Sequence, residues 1–278
     1  MTRDIICPLC EERNNKLSFH IGKYQLRACE ICDLNFIHPY IQKEEERNPL
    51  HINKQLEGEK RSVNFYFDYI SQYYKGISSY LDIGCGAGEL LRKSLDFDIK
   101  VRNGVEEDEG RAKHAKDYAQ CEVFDTDVLK KQDNVSYDLI SMINVFSHVS
   151  NLDALFQSLK SLLNENGKVI IKTGLFKKGF RKNNFFNLQI PEHVHFIGDK
   201  TIAFICEKYQ FKCVEDIRIP LSNELIDKGF LLSPGLSSFR YTLKKIVYYT
   251  PGLSFILRKL YTLYTKNKLF SNIVVLEK

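Results

Sequence analysis

The chain has 278 residues, of which 44% are hydrophobic and 27% are charged, a composition typical of globular proteins and unlike disordered or fibrous ones. No run of about 18 uncharged apolar residues occurs, so the sequence predicts neither a membrane-spanning helix nor a secretory signal. We therefore expect a cytoplasmic protein with one large domain and a small additional module. Forty lysines and arginines against 35 acidic residues give a net charge of +5, which excludes no class of partner by itself.

The N-terminal module, residues 1–38, contains two pairs of cysteines with two residues between the members of each pair. The pairs are Cys7 with Cys10 and Cys29 with Cys32, and 18 residues separate them. This spacing is typical of a zinc ribbon, in which a hairpin brings two tight turns together and four thiolates bind one tetrahedral metal ion. Because four thiolates complete the coordination shell, the sequence predicts a zinc ion with a structural role.

Residues 39–62 are polar and predict a linker or an exposed connecting helix, and residues 63–278 are expected to form the large domain. In this domain, short β-rich runs alternate with segments of helical periodicity. This alternation predicts the α/β class, with a Rossmann-like, doubly wound, seven-stranded sheet covered on both faces. The predicted strands are, in chain order, 79–83, 100–106, 121–124, 137–143, 167–173, 211–219 and 272–277. The predicted helices are 63–74, 89–95, 108–119, 152–163 and 201–209.

A glycine-rich turn, in the sequence LDIGCGAGE, follows the first predicted strand of the large domain. The strand ends in Asp82 and leads through Gly84, Gly86 and Gly88 into a helix. This arrangement predicts a nucleotide-binding turn, because glycine allows the backbone to approach a ligand closely. Glu106 ends the second strand, 18 residues after the last of these glycines, where a carboxylate accepts hydrogen bonds from two ribose hydroxyls.

Asp125 and Asp127 follow the third predicted strand and are candidates to bind an adenine amino group. No P-loop sequence GxxxxGK[ST] occurs, which excludes phosphate binding of that kind. The turn reads GxGxG, whereas the dinucleotide-binding turn of nicotinamide-dependent enzymes reads GxGxxG. A nicotinamide-dependent enzyme is therefore the less favoured interpretation.

The glycine-rich turn, the GVE of the second strand and the YDLISMINVFSHV of the fourth together resemble the class I S-adenosylmethionine-dependent methyltransferases. The resemblance covers the chain from about residue 65 to the C-terminus. It implies S-adenosylmethionine as the cofactor, with Asp82 and the three glycines at its methionine end and Glu106 at its ribose. It also implies that Glu107 flanks the ribose and that Asp125 and Thr126 lie by the adenine.

The segment PEHVHF, after the fifth predicted strand, supplies the catalytic candidates. By the resemblance, this loop faces the cofactor's methyl group, and bacterial small-molecule methyltransferases with an N-terminal zinc module, including sugar C-methyltransferases, carry a similar Glu-His pair. Histidine has an ordinary pKa of about 6.5, which suits proton removal near neutral pH. We expect His193 to be the general base, with adjacent Glu192 orienting its ring or polarising the acceptor. His148, after the fourth strand, is the second candidate and His195 the third.

The C-terminal insert, at about residues 222–270, has an uneven charge. Residues 228–276 include eight basic residues and no acidic one, so this segment carries +8. Apolar residues at helical spacing, among them Leu253, Ile256 and Leu260, predict an amphipathic helix. Two interpretations stay open: a peripheral contact with an anionic membrane or a lipid-linked glycan, or packing of the apolar stripe on the core or on a homodimer partner.

The predicted function is methyl transfer to a small molecule, with a sugar nucleotide or a glycan as the favoured acceptor and no DNA partner. One alternative is an rRNA or tRNA methyltransferase that recognises RNA through the N-terminal module. Against it, this module holds five basic and five acidic residues and lacks a basic patch, and the fourth strand lacks the [ND]PP[YF] sequence of amino-directed base methylation. The other alternative is a non-catalytic, cofactor-binding scaffold, against which the intact glycine-rich turn and Glu106 argue.

Overall fold

The computed structural model describes residues 5–40, 52–125, 135–178, 190–220, 238–264 and 269–278. Thr126 and, within the predicted insert, residues 222–237 and 265–268 lie outside the described residues. Contacts divide the chain into two compact units. The first unit comprises Met1–Glu46, Leu129–Arg218 and Lys268–Lys278, and the second unit comprises Arg47–Val128 and Ile219–Asn267.

The N-terminal module is built on a hairpin in the first unit. Strands β1 (Asn15–Ile21) and β2 (Tyr24–Cys29) pair in antiparallel order, and β3 (Asn35–His38) pairs with β2. A much later segment, β9 (His195–Phe196), pairs with β3 and completes a four-stranded sheet in the order β1-β2-β3-β9. The hairpin between the cysteine pairs agrees with the prediction. β9 was not predicted, because two residues are too few to show a periodicity.

Seven strands form the second sheet, in the order β10-β11-β8-β7-β4-β5-β6. Their bounds are β4 Ser79–Ile83, β5 Val101–Val105, β6 Glu122–Phe124, β7 Tyr137–Ile143, β8 Leu163–Phe176, β10 Lys212–Pro220 and β11 Leu269–Glu277. Parallel pairing joins β4 with β5 and β5 with β6 in the second unit, and β7 with β8 in the first. The predicted α/β class, with a Rossmann-like sheet of seven strands, is confirmed.

Strands β8 and β11 differ from the sequence-based expectation in length and direction. β8 begins at Leu163 and ends at Phe176, whereas the prediction covered 167–173. β11 runs antiparallel to β8, and their pairing extends from Leu269 opposite Phe176 to Glu277 opposite Lys168. At its carboxyl end, β8 continues through Phe176 because β11 supplies hydrogen-bond partners there, and at its start Leu163 is paired with Tyr137 of β7. Local periodicity does not reveal partners so distant in the chain.

The helices are α1 Ile52–Ile70, α2 Glu89–Lys93, α3 Glu109–Ala119, α4 Leu152–Leu162, α5 Thr201–Tyr209, α6 Ser238–Tyr249 and α7 Leu253–Tyr264. Side-chain caps fix two of the starts: the Asp108 carboxylate accepts from the N–H of Arg111 at 2.9 Å, and the Asn151 side chain accepts from the N–H of Ala154 at 3.0 Å. None of the helices in the described part of the chain combines the length and the hydropathy that a bilayer-spanning segment needs.

Strand β9 contains a histidine that is almost fully buried. His195 is 4% exposed, and its ring centroid lies 6.3 Å from that of Phe146. The ring is hydrogen bonded to the backbone of Val149, while its Nδ1 has no hydrogen-bond partner in the structure as described. Burial lowers the pKa of His195 to about 4, because the charged ring would lose its hydration. The ring is therefore neutral in the folded protein at pH 7.

We expect His195 to make stability depend on pH. The unfolded chain binds a proton here with an ordinary pKa of about 6.5, whereas the folded chain does so only near 4. Protonation therefore favours unfolding, and the free energy of unfolding falls by about 3 kcal/mol as the pH decreases through that window. Urea denaturation at pH 7 and pH 4.5 should show a smaller loss for His195→Asn than for the wild type. The exposed His20→Asn serves as control, and an equal loss in wild type and His195→Asn would contradict the expectation.

Candidate active site

The glycine-rich turn joins the buried strand β4 to α2 in the second unit. Its glycines have left-handed backbones, with φ of +67° at Gly84, +58° at Gly86 and +86° at Gly88. At Gly86, an added Cβ atom would lie 2.6 Å from the Nη2 of Arg111 and 2.7 Å from both carboxylate oxygens of Glu59. The left-handed backbone favours glycine at this position, and a Cβ atom there would have to displace the ends of the Arg111 and Glu59 side chains.

Glu106 directly follows β5, and its side chain is buried beside the turn. Its Oε2 accepts a hydrogen bond from the N–H of Gly86 at 2.9 Å, and its Oε1 accepts from the N–H of Asp108 at 3.0 Å. The structure thus brings together the glycine-rich turn and the carboxylate that sequence reasoning assigned to a ribose.

Two further residues at this turn carry no sequence signal. The Glu59 carboxylate, on α1, accepts from the N–H of Ala87 at 2.8 Å and forms an ion pair with Arg111 of α3. Burial raises the pKa of Glu59, and the charge of Arg111 opposes that rise. The Nε of Arg111 is buried and has no hydrogen-bond partner within the described residues. No motif relates these residues, because they lie far apart in the chain.

Negative charge exceeds positive charge around the turn. Asp82 and Glu106 are buried, Glu59 is half-buried, and the guanidinium of Arg111 lies among these carboxylates. At the neighbouring Cys85, burial and then the charges of Asp82 and Glu106 raise the pKa of the thiol. A ligand with positively charged groups is electrostatically favoured here. The sulfonium and ammonium of S-adenosylmethionine fit this environment.

The other predicted cofactor residues lie at the surface of the second unit or outside the description. Glu107, directly after Glu106, is exposed, and so is Asp125, directly after β6. Thr126 lies outside the described residues. Of the three predicted carboxylates Glu106, Glu107 and Asp125, Glu106 is therefore the buried one.

In the first unit, the structure brings together the two leading candidates for the general base. The rings of His148 and His193 are in edge-to-face contact, with centroids 4.7 Å apart and planes at 77°. His148 is the last residue of a single helical turn that follows β7, and its side chain is exposed. His193 lies just before β9 and is half-buried. Glu192, adjacent to His193, is exposed.

The backbone of Val194 holds this loop on two sides. Its N–H donates to the carbonyl of Ser147 at 2.7 Å, in the turn that carries His148. Its carbonyl accepts from the N–H of Ile37 at 3.0 Å, in β3 of the N-terminal module. The position of His193 is therefore fixed both by the segment after β7 and by the module.

A buried lysine near the end of β7 also escaped sequence reasoning. The Nζ of Lys172, on β8, donates to the side-chain Oδ1 of Asn144 at 2.6 Å, and the N–H of Asn144 donates to the Lys172 carbonyl at 3.0 Å. Asn144 directly follows β7 and has a φ of +61°, a conformation that asparagine adopts more readily than most residues. The arrangement holds an ammonium group at the carboxyl end of β7.

The four cysteines of the N-terminal module form one cluster, in which all sulfur atoms lie within 4.8 Å of one another. The Sγ atoms of Cys7 and Cys32 are 3.6 Å apart and those of Cys10 and Cys29 are 3.4 Å apart. Tetrahedral coordination with Zn–S bonds of about 2.3 Å separates sulfurs by about 3.8 Å, whereas a disulfide bond is about 2.05 Å long. The donor set and spacing fit a zinc ion.

Both cysteine turns are hydrogen bonded to α5. The hydroxyl of Thr201 donates to the carbonyl of Cys32 at 2.9 Å and accepts from the N–H of Gly198 at 2.9 Å. The Nζ of Lys208 donates to the carbonyl of Leu9 at 3.0 Å. The module is therefore anchored to the helix that follows the histidine loop.

Solved structures with low sequence identity have the same fold. The geranyl diphosphate C-methyltransferase of Streptomyces coelicolor has a TM-score of 0.56 and 12% identity, with 84% of each chain covered. An S-adenosylmethionine-dependent methyltransferase of Archaeoglobus fulgidus has a TM-score of 0.53 and 16% identity, covering 84% of this chain and 100% of that one. The O-methyltransferase of a trans-AT PKS multienzyme of Brevibacillus brevis was solved with S-adenosyl-L-homocysteine. It has a TM-score of 0.52 and 18% identity, and the match covers 86% of this chain and 82% of that one.

The sequence matches the methyltransferase domain family over residues 40–216, which is more than half of the chain. A search of curated proteins finds no match. The matched segment includes the glycine-rich turn, Glu106 and the loop that carries His193. The chain therefore belongs to the methyltransferase domain family and is an S-adenosylmethionine-dependent methyltransferase with the class I fold.

Proposed function

We propose that the protein methylates a small molecule and that this acceptor is a sugar nucleotide or a glycan. The observation that carries the proposal is the contact between His148 and His193 in a loop fixed by the backbone of Val194. Solved structures of the same fold contain varied small molecules, geranyl diphosphate in one and N-methylheliamine in another. They support a small-molecule acceptor, and the Glu-His pair of the loop favours the sugar class.

S-adenosylmethionine supplies an activated methyl group, so the protein must orient the acceptor and, for a hydroxyl or a carbon acid, remove a proton. We propose His193 as the general base, with Glu192 beside it to orient the ring or polarise the acceptor. The half-buried position of His193 and its fixed backbone support this choice. His195 suits the role less well, because its buried ring has a pKa of about 4 and is a weak base.

A methyl-transfer screen with the full chain tests the function and the base together. We expect labelled methyl to enter nucleotide sugars or glycans, and His193→Ala to lower turnover on the order of 10²-fold or more without weakening cofactor binding in calorimetry. The exposed His20→Ala, on β1, is the control.

The possible results of this screen differ for each hypothesis. Methylation of RNA alone would replace the sugar proposal, although the N-terminal module has five basic and five acidic residues and no excess of positive charge. Cofactor binding without transfer to any acceptor would support a scaffold. Loss of activity in His148→Ala but not in His193→Ala would transfer the role of base to His148, and full activity in both would remove the base from the mechanism.

We propose that the cofactor binds at the glycine-rich turn, with the Glu106 carboxylate accepting from the ribose hydroxyls. Glu107, Asp125 and Thr126 complete the proposed nucleoside side of the site. The net negative charge around the turn supports a cationic ligand. Glu59 and Arg111 extend the proposed site, because their side chains cover Gly86 and the Nε–H of Arg111 has no other partner in the described chain.

Calorimetric titration with S-adenosylmethionine tests this assignment without an acceptor. Glu106→Ala removes two hydrogen bonds to a charged acceptor and should weaken binding about 10²-fold, and Gly86→Val should abolish it by steric exclusion. Glu122→Ala, at an exposed carboxylate of β6, should bind as the wild type does. Circular dichroism checks that each variant is folded, and unchanged affinity in a folded Glu106→Ala would show that this carboxylate does not hold the ribose.

We propose that Cys7, Cys10, Cys29 and Cys32 hold one structural zinc ion, and that the protein works in the cytoplasm, where a reducing environment keeps these thiols free. The compact sulfur cluster supports the proposal. Because the cluster also reaches the histidine loop and α5 through Ile37 and Thr201, the metal would order more than its own module.

Elemental analysis should find about one zinc per chain. Cys29→Ser should lose the metal and increase hydrogen exchange at the amide of Ile37, while the amides of β4 and β5 stay protected. Cys213→Ser, at an exposed cysteine outside the cluster, is the matched control and should keep the zinc. A metal-free native protein with a Cys7–Cys32 disulfide would contradict the proposal.

A further inference from the structure

Seven large apolar side chains on α6 and α7 are more than half exposed to solvent. Their exposed fractions range from 52% to 71%, and together they define the α6–α7 surface: Leu243, Ile246, Tyr249, Phe255, Ile256, Leu260 and Leu263. The other exposed large apolar residues of the described chain are scattered over several elements. Single exposed residues are ordinary, whereas a concentration of this kind marks an interaction surface.

The exposed residues follow the helical repeat. In α7, Ile256, Leu260 and Leu263 are four and three residues apart and therefore share one face. The two helices contact each other, and the turn between them is hydrogen bonded: the N–H of Thr250 donates to the Ile246 carbonyl at 3.0 Å, and the N–H of Leu253 donates to the Thr250 carbonyl at 3.1 Å. The apolar face thus belongs to an ordered helical pair.

Positive charge accompanies this apolar face. Residues 238–264 include five basic residues and no acidic one. Lys245 and Lys259 are exposed, and the Nζ of Lys259 lies 4.6 Å from the ring centroid of Phe255, within cation–π distance. Cationic and apolar groups therefore occur together on both helices.

We infer that the α6–α7 surface docks on a lipid bilayer that contains anionic phospholipids. Each helix has 12 residues and is about 18 Å long, which is too short to cross a hydrocarbon core of about 30 Å. The helices lie along the bilayer surface, with their aliphatic side chains at the boundary of headgroups and acyl chains and their basic side chains near lipid phosphates.

Two other occupants fit these observations less well. A second copy of the chain would bring two surfaces of the same positive charge together, which is electrostatically unfavourable. A nucleic acid would match the charge but would leave Leu243, Ile256 and Leu260 facing phosphates and sugars instead of hydrocarbon. An anionic bilayer satisfies both the charge and the aliphatic side chains.

Vesicle flotation with the full chain tests the inference. We expect at least about tenfold tighter binding to vesicles of phosphatidylcholine with phosphatidylglycerol than to phosphatidylcholine alone, and weaker binding as salt is added. Ile256→Ser combined with Leu260→Ser should lower binding at least about tenfold, and Lys245→Gln combined with Lys259→Gln should remove the preference for the anionic lipid. Val101→Ser combined with Val214→Ser replaces exposed apolar residues on β5 and β10 and should bind as the wild type does.

Three results would overturn the inference. The first is failure to bind either vesicle at low ionic strength, and the second is equal binding by the wild type and the Ile256→Ser, Leu260→Ser variant. The third is a different occupant. In that case the wild type would form a dimer in analytical ultracentrifugation, or an RNA complex, but would not bind vesicles, and the same variant would abolish the dimer or the complex. The assay contains no methyl donor or acceptor, so its outcome is independent of the proposed methyl transfer.

Discussion

Two backbone hydrogen bonds at Val194 determine the geometry of the candidate catalytic loop. One joins it to Ser147 after β7 and the other to Ile37 in β3, so the loop is held from two elements. Ile37 in turn belongs to a small sheet whose turns hold the four cysteines. The cysteine module is thus hydrogen bonded to the loop that carries His193.

In the second unit, charged side chains order the glycine-rich turn. The N–H groups of Gly86 and Ala87 point to carboxylates, one from Glu106 after β5 and one from Glu59 on α1. Buried N–H groups need partners, and a charged acceptor makes the bond stronger. Arg111 balances part of the resulting negative charge. The turn is therefore held in its conformation by side chains from two other elements, and the net charge around it is negative.

Local patterns in the sequence predicted most of this architecture. β4, β7 and α5 have the predicted bounds, because buried strands and amphipathic helices repeat over a few residues. The cysteine cluster and the glycine-rich turn were also predictable, because each depends on particular residue types at a fixed spacing in the sequence. What sequence reasoning missed depends on residues distant in the chain: the strand β9, the Glu59–Arg111 ion pair and the Lys172–Asn144 hydrogen bond. None of these partners is related by a period or a motif.

Helices α4 and α7 show where a local pattern stops being informative. Both have apolar residues at helical spacing, yet Leu155, Phe156 and Leu159 of α4 are buried, whereas Leu260 and Leu263 of α7 are exposed. An amphipathic pattern indicates that a helix has an apolar face, but it does not indicate what covers that face. Charge distinguishes the two: α4 carries one acidic and one basic residue, and α7 carries two basic residues and no acid. A helix that packs in the core gains nothing from excess charge of one sign, while a helix that meets an anionic surface gains from each cation. The uneven charge of the C-terminal segment is therefore the sequence feature that separates a docking helix from a core helix in this chain.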